Sequence, residues 1–269
     1  MRTFLERKIC MIIYGGKSDV GYNREINEDF IHCREIDKNN NILFAVIADG
    51  AGTMSSKFQS APLAALQIES AIERIYETDP DALFDYPSTF LTEAVISAGK
   101  TIGTFRVVDE ERYAGFATSI SCVLILGKRM IIAHSGNTRI NLFRYIPKSE
   151  QYNCLQLTKD DTKGMELVEQ GKLTFAEYHL SAERLQVTGG LGLSSVPKVQ
   201  TREMELKDND FILMTTDGIH NAIRPDVFFE IIKRSVNCEE TATTLVEAAK
   251  IEKYEDNMSA LLLWNKGDM

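Results

Sequence analysis

The sequence is poor in the residues that bind soft metals or staple small folds. It has four histidines and five cysteines in 269 residues, and no two cysteines stand as CxxC. An odd, widely spaced set (Cys10, Cys33, Cys122, Cys154, Cys238) argues against a disulfide framework or a zinc site. It fits small apolar residues in a reducing compartment. Positive charge is also short: 30 Lys and Arg against 39 Asp and Glu give a net charge of -9. That balance argues against nucleic acid or an acidic membrane as partner. Long apolar runs are missing too. The opening MRTFLERKICMIIYGG holds a run too short for a signal-peptide core or a membrane helix, and no later segment reaches membrane length. The expectation is a soluble, cytoplasmic protein. The six prolines are scattered and no Pro-, Ser- or Gly-rich linker divides the chain, so residues 1–269 read as one domain.

What is present is core-forming material, with 44% hydrophobic residues. Runs rich in β-branched residues predict strands at about 9–14, 29–36, 42–48, 117–126, 129–135, 139–146, 198–206, 210–216 and 258–264. Helical periodicity marks 60–77, where Ala61, Ala64, Ala65, Ile68, Ala71, Ile72 and Ile75 share a face. Similar patterns cover about 88–106, 225–236 and 239–251. Strands in runs with helices in pairs imply antiparallel sheets between helical layers, an α+β sandwich.

Three carboxylates share one address, the end of an apolar strand. LFAVIADGAGT puts Asp49 and Gly50 after a strand, FILMTTDGIHN does the same with Asp217, and YEDNMSALLLW places Asp256 and Asn257 before one. Each alone reads as an Asx turn or cap. Together they can converge on one cation, because neighbouring strand tips lie roughly 4.8 Å apart, and hard oxygen ligands favour magnesium or manganese. GYNREINEDF adds Arg24, Glu28 and Asp29. This stretch is either a solvated charged turn or an arginine for a phosphate beside an acid for a metal.

The ordered set REINED (24–29), VIADGAG (46–52), ATSISCVLI (117–125), HSGNTR (134–139), LTKDDT (157–162), ELVEQGKLTFAE (166–177), TGGLGL (188–193), LMTTDGI (213–219) and EDNMSALLL (255–263) resembles the metal-dependent type 2C protein Ser/Thr phosphatases, bacterial members in particular. The resemblance spans about residues 10–264. It implies a central β-sandwich of two antiparallel sheets flanked by pairs of helices, with a flap segment at about 160–188. It also implies two Mg²⁺ or Mn²⁺ ions. Asp49 would bridge them, Asp217 and Asp256 would complete the first, Glu28 and the Gly50 carbonyl would serve the second, and Arg24 would hold the substrate phosphate. Paired cations about 3.5–4 Å apart supply charge neutralisation and a nucleophile at neutral pH, so no cysteine or serine nucleophile is required.

The chain departs from that family at three places. Ala51 stands where many members carry a histidine proposed as general acid, a group worth about 10²- to 10⁴-fold; His134 and His220 are the candidates to substitute. Asn137 and Asn221 stand at positions usually occupied by aspartates of a third, weaker metal site, which is therefore expected to be weak or empty. Gly189 stands where arginine is common, which implies altered flap packing or substrate contacts. The pair Asp160-Asp161 reads as a turn. The leading expectation is a phosphoserine/phosphothreonine protein phosphatase acting within a Ser/Thr kinase system. The alternatives are a pseudophosphatase that binds a phosphoprotein or kinase, and a hydrolase of small phosphate esters.

Overall fold

The computed structural model describes residues 11–52, 58–149 and 151–267. Among the described residues, ten strands form two five-stranded antiparallel sheets. One sheet has the order β2-β3-β4-β5-β8, with β2 Asp29–Asp37, β3 Ile42–Ala51, β4 Ala117–Leu126, β5 Arg129–Ser135 and β8 Gln200–Glu205. The other has the order β1-β10-β9-β6-β7, with β1 Ile12–Asp19, β6 Arg139–Ile146, β7 Gln151–Gln156, β9 Phe211–Thr215 and β10 Met258–Asn265. The helices are α1 Ser60–Thr78, α2 Pro80–Asp85, α3 Pro87–Val108, α4 Lys163–Glu169, α5 Phe175–Leu180, α6 Asp217–His220, α7 Pro225–Lys233 and α8 Cys238–Ile251. This is the α+β sandwich that the strand and helix patterns imply.

Strand parity divides the core into three layers. In β3, Ile42, Phe44, Val46 and Ala48 face α1 and α3, together with Ile68, Ile72, Leu91 and Val95. The alternate residues Leu43, Ala45 and Ile47 face the opposite sheet, where they meet Ile212, Met214, Leu261 and Leu263. The far side of that second sheet, Leu213, Ala260 and Leu262, is covered by α8 through Ala242, Leu245 and Val246. Central strands such as β4, buried throughout, read as continuous apolar runs because both faces are covered.

Three differences from the sequence reading have local causes. The strand expected at 9–14 begins at Ile12, with residues 9 and 10 outside the described residues, and runs on through Gly15-Gly16 to Asp19. Gly15 admits the N-terminus of α8, since a Cβ there would lie 2.4 Å from the Glu239 backbone nitrogen. Strand β7 was not expected. It is an edge strand pairing only with β6, and its largely exposed QYNCLQ shows no apolar alternation. Residues 160–188, the segment expected as a flap, contain α4 and α5, too short for periodicity to show, although Thr174 and Glu177 close a capping box at α5.

The flap is held down by a buried polar network. Asp160, 2% exposed, receives Arg139 through Nε (3.0 Å to Oδ1) and Nη2 (2.5 Å to Oδ2). It also accepts the Tyr178 hydroxyl at 2.8 Å, and Tyr178 is the fully buried residue of α5. Asp161 accepts the Gly136 amide at 3.0 Å and Gln200 Nε2 at 3.0 Å. The Asp160-Asp161 pair is therefore a long-range clasp and not the turn expected from sequence. Burial works to raise the Asp160 pKa, but the Arg139 charge and hydrogen bonds outweigh it and bring it to about 2. Asp160→Ala leaves Arg139 buried without its partner. It is expected to cost about 3–5 kcal/mol in urea denaturation; a loss below about 1 kcal/mol would show that the clasp does not hold the flap.

Candidate metal centre

Strand parity carries the apolar interior of the sandwich directly into a polar mouth. Asp49 continues the Leu43, Ala45, Ile47 face of β3, and Asp29 continues the Ile31, Cys33 face of β2. The two aspartates are cross-strand partners in the β2–β3 register, an arrangement that is destabilising for like charges. Across the cleft, β9 ends in Thr215 and the chain turns into α6 at Asp217, while Asp256 immediately precedes the segment entering β10. Asp29 is buried, and Asp49, Asp217 and Asp256 are half-buried.

Glycines permit the close approach of the backbones. A Cβ on Gly218 would lie 1.9 Å from the Asn257 carbonyl oxygen, and one on Gly50 would lie 2.7 Å from the Glu28 carbonyl oxygen. The Gly50 amide donates to that Glu28 carbonyl at 3.1 Å, which joins the turn after Asp49 to the segment carrying Arg24 and Glu28.

Asn257 fastens this segment to the second sheet. Its Oδ1 accepts the Glu28 amide at 2.9 Å, and its Nδ2 donates to the carbonyls of Val20 (2.8 Å) and Ile26 (3.0 Å). Sequence reading paired Asn257 with Asp256 only as a cap. Its role depends on partners more than 200 positions away, which no local signal reveals.

The carboxylates repel one another in partial burial. Asp29 is pushed up to about 7, first by burial and then by Asp217 and Asp256, against the hydrogen bonds of Ser259 and Thr216. Asp49 is pushed well above the usual carboxylate range, first by burial and then by Asp217, Asp29 and Asp256. Asp217 is raised to about 6, by burial and by Asp256, although Asn137 and Asp49 hydrogen-bond to it. Asp49 and Asp217 lie within hydrogen-bonding reach of each other. The countercharge is an arginine: Arg24 Nη2 lies 2.9 Å from Asp256 Oδ1.

The other expected residues fall as follows. Glu28 is half-buried next to Asp29, with its backbone bound to Asn257 and Gly50. Asp29, quoted in the sequence motif but not assigned as a ligand, is the more enclosed acid, and alternation along β2 is the signal that points to it. Asn137 Nδ2 donates to Asp217 at 3.0 Å and its Oδ1 accepts the Ser119 hydroxyl at 2.8 Å. Asn221 follows α6 and accepts from Arg184 of the flap through Oδ1. His134 is buried, its ring nitrogens occupied by Ser121 (2.9 Å) and the Lys159 carbonyl (3.2 Å), and His220 bonds Thr215 through Nδ1 at 3.0 Å. Both are held by the scaffold. Gly189 has no room for a side chain, since a Cβ would lie 2.6 Å from that of Asp161.

Among the described residues, no group of three or more Asp, Glu, His or Cys side chains stands as a ready-made metal cage. The donor set nevertheless fits divalent cations. Hard oxygen donors from both sheets converge, several of them hold protons they would ordinarily have released, and no soft ligand intervenes.

A two-sheet sandwich with helical pairs outside and a carboxylate cluster at one end of the inter-sheet cleft defines an α-β-β-α protein with a candidate site for hard metal ions. The protein phosphatase 2C family model matches residues 175–258 of this chain. A putative protein phosphatase 2C-type from Streptococcus pyogenes is 24% identical over 252 residues, 94% of this chain and 97% of the relative. The crystal structure of the serine/threonine phosphatase Stp1 from Staphylococcus aureus has a TM-score of 0.80 at 19% identity and covers 99% of this chain and 100% of that one. The catalytic domain of serine threonine protein phosphatase PstP in complex with 2 manganese ions has a TM-score of 0.72 at 22% identity, covering 94% and 97%.

The raised acids set the sign of a pH effect. Without cations the folded cluster keeps protons that unfolded carboxyls release near pH 4, so stability is greatest below that pH and is lost as pH rises through about 6 to 7. Melts of chelator-treated protein are expected to fall between about pH 5 and pH 8. Mn²⁺ should reverse the fall and Asp49→Asn should reduce it. A fall of the same size in Asp49→Asn would contradict the assignment of this strain to the cluster.

Proposed function

We propose that this chain is a metal-dependent protein phosphatase acting on phosphoserine and phosphothreonine. The observation that carries this reading is the convergence of Asp49, Asp217 and Asp256, from strand tips of both sheets, with Asp29 behind them. The residues suited to hold two Mg²⁺ or Mn²⁺ ions are Asp49, the Gly50 carbonyl, Asp217, Asp256 and Glu28. When bound, such ions neutralise a phosphomonoester and supply a hydroxide-like nucleophile at neutral pH.

The chain's own groups do the rest. Arg24, about half exposed and already at the cluster's edge, can turn its planar fork from Asp256 to the phosphate oxygens. Thr216 Oγ1 donates to Asp29 Oδ2 at 2.8 Å and accepts the Ser259 amide at 3.0 Å, which fixes that carboxylate and ties the two sheets together behind the site. Asn137 orients Asp217 from the side. The oxygens of Asn137 and Asn221 are engaged by Ser119 and Arg184, which supports a weak or empty third site. With Ala51 at the end of β3, no side chain there can donate a proton to the leaving group. Turnover is correspondingly modest in this reading. The substrates would be phosphoproteins generated by a Ser/Thr kinase system in the cytoplasm. No helix among the described residues is long and apolar enough to cross a membrane.

The test is Mn²⁺-dependent hydrolysis of p-nitrophenyl phosphate and of a phosphothreonine peptide. Wild type is expected to hydrolyse both, and Asp217→Asn to lose about 10²- to 10³-fold in rate. Absence of hydrolysis by wild type at saturating Mn²⁺ would contradict the proposal.

A further inference from the structure

Each sheet ends in two edge strands, and one of these four edges is unguarded. Strand β1 carries Lys17 and Asp19, β2 carries Asp29, Arg34, Glu35 and Asp37, and β8 carries Arg202, Glu203 and Glu205. Charges along an edge discourage the approach of another strand. Edge β8 is also fastened to α3, where Ser88 meets Glu203 and Thr92 meets Thr201. Strand β7 reads QYNCLQ and has neither a charged residue nor a proline. It pairs with β6 on one side, and among the described residues no backbone hydrogen bond reaches its other side. Its outward N–H and C=O groups are a template for one more strand.

The edge is held in place by its neighbours. The Tyr152 ring lies 5.4 Å from that of Tyr145 and 6.0 Å from that of Phe211, which stacks on Trp264 at 4.8 Å. Gln156 Nε2 donates to the Thr158 carbonyl and to Asp160 Oδ1, both at 3.0 Å, so the last residue of β7 is tied to the clasp. Cross-strand register lines up Ile13, Trp264, Phe211, Phe143 and Cys154 in one row across the whole sheet. That row ends at Cys154, which is exposed. Beside it Leu155 is 44% exposed, and Tyr145 and Ile146 are each 40% exposed. A continuing sheet would cover this apolar margin.

Charge selects the occupant. The chain has a net charge of -9, so two copies repel over most of their surfaces. Edge β7 lets them meet with no ionic group to desolvate and no like charges set opposite one another. A two-fold axis normal to the sheet lays β7 antiparallel to β7 of a second copy, the isologous contact of a closed dimer. Every residue then keeps its face, and the axis passes through one residue. With Cys154 at the centre, Asn153 lies opposite Leu155 and Tyr152 opposite Gln156. With Asn153 at the centre, Tyr152 lies opposite Cys154 and Gln151 opposite Leu155. Asp217 follows β9, two strands in from this edge, so the carboxylate mouth stays open.

We propose that this chain pairs with a second copy of itself through β7, joining two five-stranded sheets into one continuous antiparallel sheet of ten strands. The inference stands independently of the phosphatase reading.

The test is sedimentation velocity of the reduced protein from low to high micromolar concentration. Wild type is expected to pass from monomer to dimer. Asn153→Lys and Asn153→Glu, at an exposed position, should keep the wild-type melting temperature and each weaken association about tenfold or more. An equimolar mixture of the two variants should recover dimer, because opposite charges then face each other across the axis. Copper-phenanthroline oxidation locates the centre, since residues opposed across antiparallel strands lie within disulfide reach. A linked dimer in Cys10→Ser places Cys154 at the axis. One that forms only when Cys154→Ser and Asn153→Cys are added places residue 153 there. Wild type that stays monomeric at every concentration overturns the proposal and leaves the edge to a different chain. Association unchanged in both charge variants, no recovery in their mixture, no linked dimer in either cysteine background, or growth beyond the dimer would overturn it as well.

Discussion

Repulsion among carboxylates that the fold forces together is the constraint on which this structure turns. Asp29 and Asp49 are directly opposed across β2 and β3, and Asp217 and Asp256 face them from the other sheet. Partial burial makes that repulsion expensive, and the acids respond by retaining protons. A chain selected for stability alone would place amides here. The proposed function gives the acids a purpose, since divalent cations would relieve the repulsion and put the same charges to chemical use.

The scaffold that bears this load is built from contacts of long sequence range. Thr216 and Ser259 tie the sheets together behind Asp29, and Asn257 draws the Arg24–Glu28 segment onto the tip of β10. Gly50 and Gly218 allow backbones to approach where any side chain would collide. The flap is fixed by a separate clasp, Arg139 and Tyr178 on Asp160, so that Arg184 reaches the mouth from an anchored element. Hydrophobic burial holds the three layers, and these polar ties set the positions of groups at their end.

Much of this architecture was legible in the sequence because burial leaves periodic marks. Strands β3, β4 and β9 are covered on both faces and read as apolar runs, and α1 shows a continuous apolar stripe. The positions of Asp49, Asp217 and Asp256 at strand ends were legible for the same reason. Strand β7 was not, since its residues are largely exposed and neutral, and the flap helices are too brief to show a period. Asp160 was read as a turn residue because its partners, Arg139 and Tyr178, lie about twenty positions away on either side. Asp29 is quoted in its motif without a role, although parity with Ile31 and Cys33 places it on the inner face of β2. Local sequence shows which residues are buried, but not which buried polar groups meet.

The most direct test of the central claim is calorimetric titration of Mn²⁺ into chelator-treated protein in buffers of different ionisation enthalpy. If the cluster holds protons because it lacks cations, binding of two ions near pH 6.5 should release roughly one proton or more per chain. Release should diminish at pH 8 and the binding should be lost in Asp49→Asn. Binding without proton release, or with equal affinity in Asp49→Asn, would contradict the account.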